Sequence, residues 1–255
     1  MPLLPKNSPD KENARMSAAI YLGGATAVVA AVSAGCFYAS LAPASTLFGR
    51  ALTAPAKPGE FALTFDDGPN PAWTPQLLDL LASHNVRATF FLVGQFAVKQ
   101  RALAHRIHDA GHLIGNHTWT HPNLARTGKA QTHNELADTN SELEQITGAP
   151  VRFFRPPFGL RRPATFAIAR ELGLTPVTWT VIGNDWTSLT AEEIAARVTR
   201  LSQKDRQRSQ ATNLVLHDGS HRTPTADRSR TITAVAMLLP NLLKTHHMVT
   251  LDAWE

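Results

Sequence analysis

Short apolar runs and longer amphipathic stretches alternate along this chain. The runs at 61–65, 88–93, 112–116, 151–154, 174–180, 213–217 and 247–251 read as buried strands. Between them, 73–84, 96–110, 130–147, 163–172, 190–203 and 229–245 carry helical patterns. Leu77, Leu78, Leu80 and Leu81 mark the apolar face of the first helix. Thr190 followed by Glu193 is a capping-box signature for the fifth. Regular strand–helix alternation predicts an α/β fold, a parallel sheet with helices outside. Seven strands suit a closed or nearly closed β/α barrel, and an open doubly wound sheet fits the same pattern. Either way, ligands gather at the C-terminal ends of the strands. The polar clusters fall there: Asp66-Asp67, His117 and His121, Arg155, Asp185, and His217-Asp218.

The N-terminal region has a different pattern. Residues 1–15 are polar and hold Lys6, Lys11 and Arg15, whereas 17–39 contain no charged residue. A bilayer span needs about 20 apolar residues. The chain therefore divides into a cytoplasmic tail (1–15), a transmembrane anchor or signal segment (16–40), a proline-containing linker (41–56) and one catalytic domain (57–255). The positive-inside rule places the N-terminus in the cytoplasm and the domain outside the inner membrane, on a single pass. Ala42-Pro43-Ala44 offers a cleavage site, so secretion after cleavage is the alternative.

Composition narrows the chemistry. The 255 residues are 43% hydrophobic, enough for one domain with a large core. The net charge is +5, without the basic run or interleaved aromatics of a nucleic-acid binder. Nothing implies a protein partner. The single cysteine, Cys36, excludes an intrachain disulfide and a thiolate metal cluster. A metal must take His and carboxylate ligands.

Adjacent carboxylates at a strand end, Asp66 and Asp67 before Gly68-Pro69, repel each other unless a cation relieves them. A metal or an arginine would do so. His117 and His121 are spaced i and i+4, and Pro122 disfavours helical geometry at His121. Joined to a carboxylate, the pair fits a three-ligand catalytic zinc site with an open position. Arg155 precedes Pro156-Pro157, so Phe158 and Gly159 are the first free backbone donors in a stiff loop. That suits an oxyanion donor. Val215 and His217 share a strand face, and Asp185, beside Trp186, offers a carboxylate to orient His217. Each of these, taken alone, also has an ordinary structural reading.

In this order the five segments resemble the five motifs of the polysaccharide deacetylases, carbohydrate esterase family four, over about residues 57–251. The resemblance implies a distorted seven-stranded (β/α) barrel and a divalent metal, zinc or else cobalt. It implies hydrolysis of N-acetyl groups on N-acetylglucosamine-containing glycans, with release of acetate. Asp67, His117 and His121 match the metal ligands. Asp66 matches the general base, Arg155 its partner, His217 the general acid and Asp185 its orienter. Phe158, where tyrosine is more usual, matches the oxyanion donor; Trp186 and Val215 match the residues around the acetyl methyl. Peptidoglycan, chitooligosaccharide and an exopolysaccharide are all candidate substrates, and the anchor favours a polymer of the bacterial envelope. An O-acetyl esterase acting on plant polysaccharide such as xylan is the alternative. A non-catalytic carbohydrate-binding relative is a second.

Overall fold

The structure, a computed structural model, describes residues 33–255. β1 (Glu60–Gly68) organises it. Its odd residues Phe61, Leu63 and Phe65 face outward into one apolar cluster with Leu77 and Leu81 of α1 (Thr74–Ser83). Ala62 faces inward, into a second cluster with Phe91, Phe153, Val177 and Trp254. The period of two thus splits one continuous apolar run between the helical layer and the interior of a curled sheet.

The chain continues through β2 (Thr89–Leu92), α2 (Gly94–Lys99), α3 (Arg101–Asp109), β3 (Leu113–Asn116) and α4 (Lys129–Thr147). It then forms β4 (Phe153–Phe154), α5 (Pro163–Glu171), β5 (Thr175–Pro176) and β6 (Val181–Ile182). Last come α6 (Ala191–Gln207), β7 (Thr212–His217), α7 (Ser229–Thr245) and β8 (His247–Val249). Seven strands run parallel in the order β5-β4-β3-β2-β1-β7-β6, a curled half-barrel. β8 adds to the N-terminal half of β1, pairing Glu60 with His247 and Ala62 with Val249. The capping box forms: Glu193 N donates to Thr190 Oγ1 at 3.3 Å, and Thr190 N donates to Glu193 Oε2 at 2.8 Å.

Three expectations change. The strand expected at 174–180 shortens to β5, and a separate strand, β6, begins just beyond it at Val181. β5 pairs with β4 and β6 with β7, at opposite edges of the sheet, so the chain must cross the seam between them. The helix expected at 96–110 breaks at Gln100, whose φ of −122° and ψ of 42° are not helical. The strand expected at 247–251 stops at Val249, and a 3₁₀ turn, Leu251–Trp254, closes the barrel floor.

The stretch expected to be a linker is built into the sheet. Leu52 bridges to Val177 in the seam; its N–H donates to Pro176 O at 2.8 Å, and Thr178 N–H donates to Leu52 O at 2.9 Å. Asn213 Nδ2 donates to Thr53 O at 2.9 Å, and Ala211 N to Pro55 O at 2.9 Å. Further upstream, buried Arg161 donates to the carbonyls of Ala42 and Pro43. These bonds satisfy backbone groups that an open edge would leave unpaired. Residues 33–41 are helical. The expected tail at 1–15 and residues 16–32 of the expected anchor lie outside the described residues. Among the described residues, no helix is long and apolar enough to cross a membrane.

Candidate active site

Adjacent residues on a regular strand point to opposite faces, which would send Asp66 and Asp67 apart. The structure avoids this with a bulge. The pairing of β1 with β2 runs Asp66 to Phe91 and then Gly68 to Leu92, skipping Asp67, which takes a φ of 70°. Aspartate tolerates that left-handed conformation better than most side chains. Both carboxylates consequently line one cavity of about 580 Å³ at the C-terminal end of the sheet. Two glycines make the turn possible. A Cβ at Gly68 would lie 2.3 Å from Asp218 Oδ2, and one at Gly219 would lie 2.1 Å from Asp67 O.

The two carboxylates have separate partners. Asp66 Oδ1 accepts from Arg155 Nη1 at 2.8 Å. Arg155 is fully buried, donates also to Thr64 Oγ1 at 2.6 Å, and lays its guanidinium 4.2 Å from the centre of the Phe91 ring. Asp67 faces the histidines instead. Its Oδ1 lies 3.1 Å from His121 Nε2 and 3.5 Å from His117 Nε2, and has no hydrogen-bond partner. Burial works to raise the Asp67 pKa, but His117, His121 and His221 together hold it well below the usual carboxylate range. Burial lowers the pKa of His121, despite Asp67.

One ligand atom from each of Asp67, His117 and His121 lies within 4.8 Å of the others. His117 is already in a ligand's tautomer: Nδ1 sits 2.8 Å from Arg155 O, so it carries the proton and leaves Nε2 free toward Asp67. The unpartnered Asp67 Oδ1 and three convergent hard or borderline donors fit a divalent ion, zinc or cobalt among them. His117 to His121 form a loop rather than a helix. Glu135 of α4 secures it, accepting from Thr120 N at 2.7 Å and Thr120 Oγ1 at 2.6 Å.

Across the cavity, His217 ends β7. Its Nδ1 is 2.9 Å from Asp185 Oδ1, and its backbone N donates to Asp185 Oδ2 at 2.8 Å. Thr231 Oγ1 adds a bond to the same oxygen at 2.8 Å. Burial alone would lower the His217 pKa; the charge and hydrogen bond of Asp185, with the charges of Asp67 and Asp66, together outweigh it and raise the pKa to about 9. Val215 is buried in the cavity wall, while Phe158 and Trp186 are half exposed at its mouth. Trp186 meets the His217 ring edge-on at 5.0 Å. Phe158 has a φ of 57°, so its backbone departs from a regular turn. Asp218 takes no place among these groups. It accepts from Thr74, and burial raises its pKa to about 7.

The polysaccharide deacetylase family model matches residues 53–177. A chitooligosaccharide deacetylase of Sinorhizobium fredii is 33% identical over 71% of this chain and 84% of its own length. The chain belongs to the polysaccharide deacetylase family. A peptidoglycan-N-acetylglucosamine deacetylase of Bacillus cereus is 40% identical over 59% of this chain, and the match spans 55% of that relative's length. Among solved structures, a peptidoglycan N-acetylglucosamine deacetylase superposes with a TM-score of 0.71 at 33% identity, covering 80% of this chain and 91% of its own. The family match begins inside the seam-filling segment.

Apart from Asp218, every polar residue singled out at the strand ends lines or supports this cavity, and Phe158, Trp186 and Val215 line it too. Sequence reasoning missed two. Glu135 gave no signal, being one polar residue on a helix. His221, four residues after His217, gives no signal of its own in the sequence; the structure lays its ring on His121.

Proposed function

We propose that the protein is a metal-dependent hydrolase that removes N-acetyl groups from N-acetylglucosamine-containing glycans and releases acetate. One observation carries this: Asp67, His117 and His121 converge within 4.8 Å in the cavity that also holds the Asp66–Arg155 and His217–Asp185 pairs. The activities named for the relatives support it. None of the ligand, base or acid positions is missing, which speaks against a non-catalytic relative.

The roles follow from the partners. Asp67, His117 and His121 would hold a divalent ion, which would supply positive charge to polarise an amide carbonyl and a water. Asp66 has one oxygen on Arg155 and accepts the proton of the attacking water. The water oxygen bonds to the acetyl carbon as the carbonyl electron pair moves onto its oxygen, and the C–N bond breaks when that pair returns. Phe158, through its backbone N–H, stabilises charge on the carbonyl oxygen. His217, with Nδ1 committed to Asp185, presents Nε2–H to the departing nitrogen, which leaves as an amine. Amines are poor leaving groups unless protonated, so the acid is essential to amide cleavage. Trp186 and Val215 border the space for the acetyl methyl.

Acetate release from chitooligosaccharides, peptidoglycan and acetylxylan, with and without chelator, tests the reading. Release from an N-acetyl substrate that stops on chelation and returns with Zn²⁺ or Co²⁺ is expected. Release from acetylxylan alone would reassign the enzyme as an esterase, and full activity in metal-free protein would end the metal reading.

The pH profile tests His217. It must be protonated to act, so kcat/KM should fall as pH rises through its pKa, which Asp185 works to raise against burial. Asp185→Asn removes the largest influence that raises it. The alkaline limb should then move down by more than about one pH unit, with a lower kcat. An unchanged profile and kcat would remove the pair from the mechanism.

A further inference from the structure

His221 has no part in the roles above, yet it touches two members of the triad. Its ring stacks on His121, with centroids 4.2 Å apart and planes 14° from parallel. Its Nδ1 lies 3.5 Å from Asp67 Oδ2. The two Asp67 oxygens are therefore divided, Oδ1 toward His117 and His121 and Oδ2 toward His221. The two ligand histidines are also unequal. His117 is oriented through its Nδ1 by Arg155 O at 2.8 Å, whereas His121 Nδ1 is buried without a hydrogen-bond partner. His121 sits on backbone of positive φ, 60°; besides Asp67 at Nε2, its ring meets His221 on one face, and Phe158 at 4.7 Å and His117 at 4.9 Å edge-on.

The His221 loop is itself fixed against Asp67. Gly219 packs so closely that any side chain there would strike Asp67 O. Arg228 Nε donates to Gly219 O at 2.7 Å, and Gly219 N reaches Asp66 O at 3.4 Å. Phe158 meets the His221 ring edge-on at 5.3 Å. His221 is not among the residues whose ligand atoms converge within 4.8 Å. Its contacts suit a neighbour of the ligands and not another ligand.

We infer that His221 is a positioning residue for the metal site: it donates Nδ1–H to Asp67 Oδ2 and braces the His121 ring, so that Asp67 presents Oδ1 alone. A carboxylate held by one oxygen leaves room at the ion for water and substrate. Partners of this kind typically change metal affinity by about 10–100-fold when removed. The inference rests on the reading that Asp67, His117 and His121 hold the ion.

Zinc affinity measured by competition with a chromophoric chelator tests it, alongside the visible spectrum of the Co²⁺ form. His221→Ala should bind zinc about 10–100-fold more weakly and show an altered Co²⁺ spectrum. His221→Phe keeps a ring but no donor, and His221→Asn keeps a donor but no ring; each should fall between Ala and the unaltered protein. These two variants also serve if His221→Ala does not fold. Unaltered zinc affinity and Co²⁺ spectrum in all folded variants would overturn the inference. Asp67→Ala separates this from failure of the underlying reading. If it binds zinc as tightly as the unaltered protein, the triad does not hold the ion, and both readings fall together.

Discussion

Asp66→Asn should retain its metal and lose about two to four orders of magnitude in turnover, whereas Asp67→Ala should lose both metal and activity. The magnitude is that of a displaced general base. The separation follows from the bulge. It turns two neighbouring carboxylates into one cavity but gives them different partners, Arg155 for Asp66 and the histidines for Asp67. An amide at position 66 keeps an oxygen for Arg155 and nearly the same shape, but it cannot accept the water's proton. An alanine at 67 removes the carboxylate on which His117 and His121 converge. Metal content and acetate release on both variants decide the matter. Metal lost from Asp66→Asn and kept by Asp67→Ala would reverse the assignment.

The largest effect on stability is expected at Arg155. Its guanidinium is wholly buried beneath Asp66, and burial lowers its pKa while Asp66 opposes the shift. Replacement by Met preserves much of the volume but leaves Asp66 buried without its partner. Breaking a buried ion pair from one side costs about 3–5 kcal/mol. Arg155→Lys should recover only part of this. A single ammonium cannot reproduce the guanidinium's bonds to Asp66, Thr64, Asn213 and the Thr178 carbonyl. Adding Asp66→Asn to Arg155→Met should restore most of the lost stability, because the uncompensated charge is then gone. Denaturant midpoints across the four-member cycle measure the coupling. Additive losses would mean that the pair is not coupled.

These expectations show which parts of the molecule its sequence could specify. Strand ends were legible because apolar runs stop at polar or turn residues: Phe65 before Asp66, Leu216 before His217. In a parallel α/β sheet, those ends must share one face. The seam was not legible. Residues 174–180 look like one strand because nothing local records that the chain leaves the edge at Pro176 and joins the opposite edge only at Val181. Leu52 resembled linker because one apolar residue among prolines and alanines has no periodicity. The bulge at Asp67 was hidden for a different reason: it depends on what Gly68 and Gly219 permit in contact with residues distant in sequence. His221 was hidden in the same way. Its partner, His121, is one hundred residues upstream, and ring stacking leaves no mark on spacing.

The seam also means that the residues before β1 and the rest of the domain are not separable parts. Residues 42–55 lie between the apolar N-terminal segment and β1, yet their backbone bonds hold Arg161, Thr178, Ala211 and Asn213 in place. Asn213 in turn bonds Arg155, the partner of Asp66. Proteolytic cleavage within this stretch would therefore withdraw bonds two steps from the proposed general base, so a cut near Lys57 would also loosen the active centre.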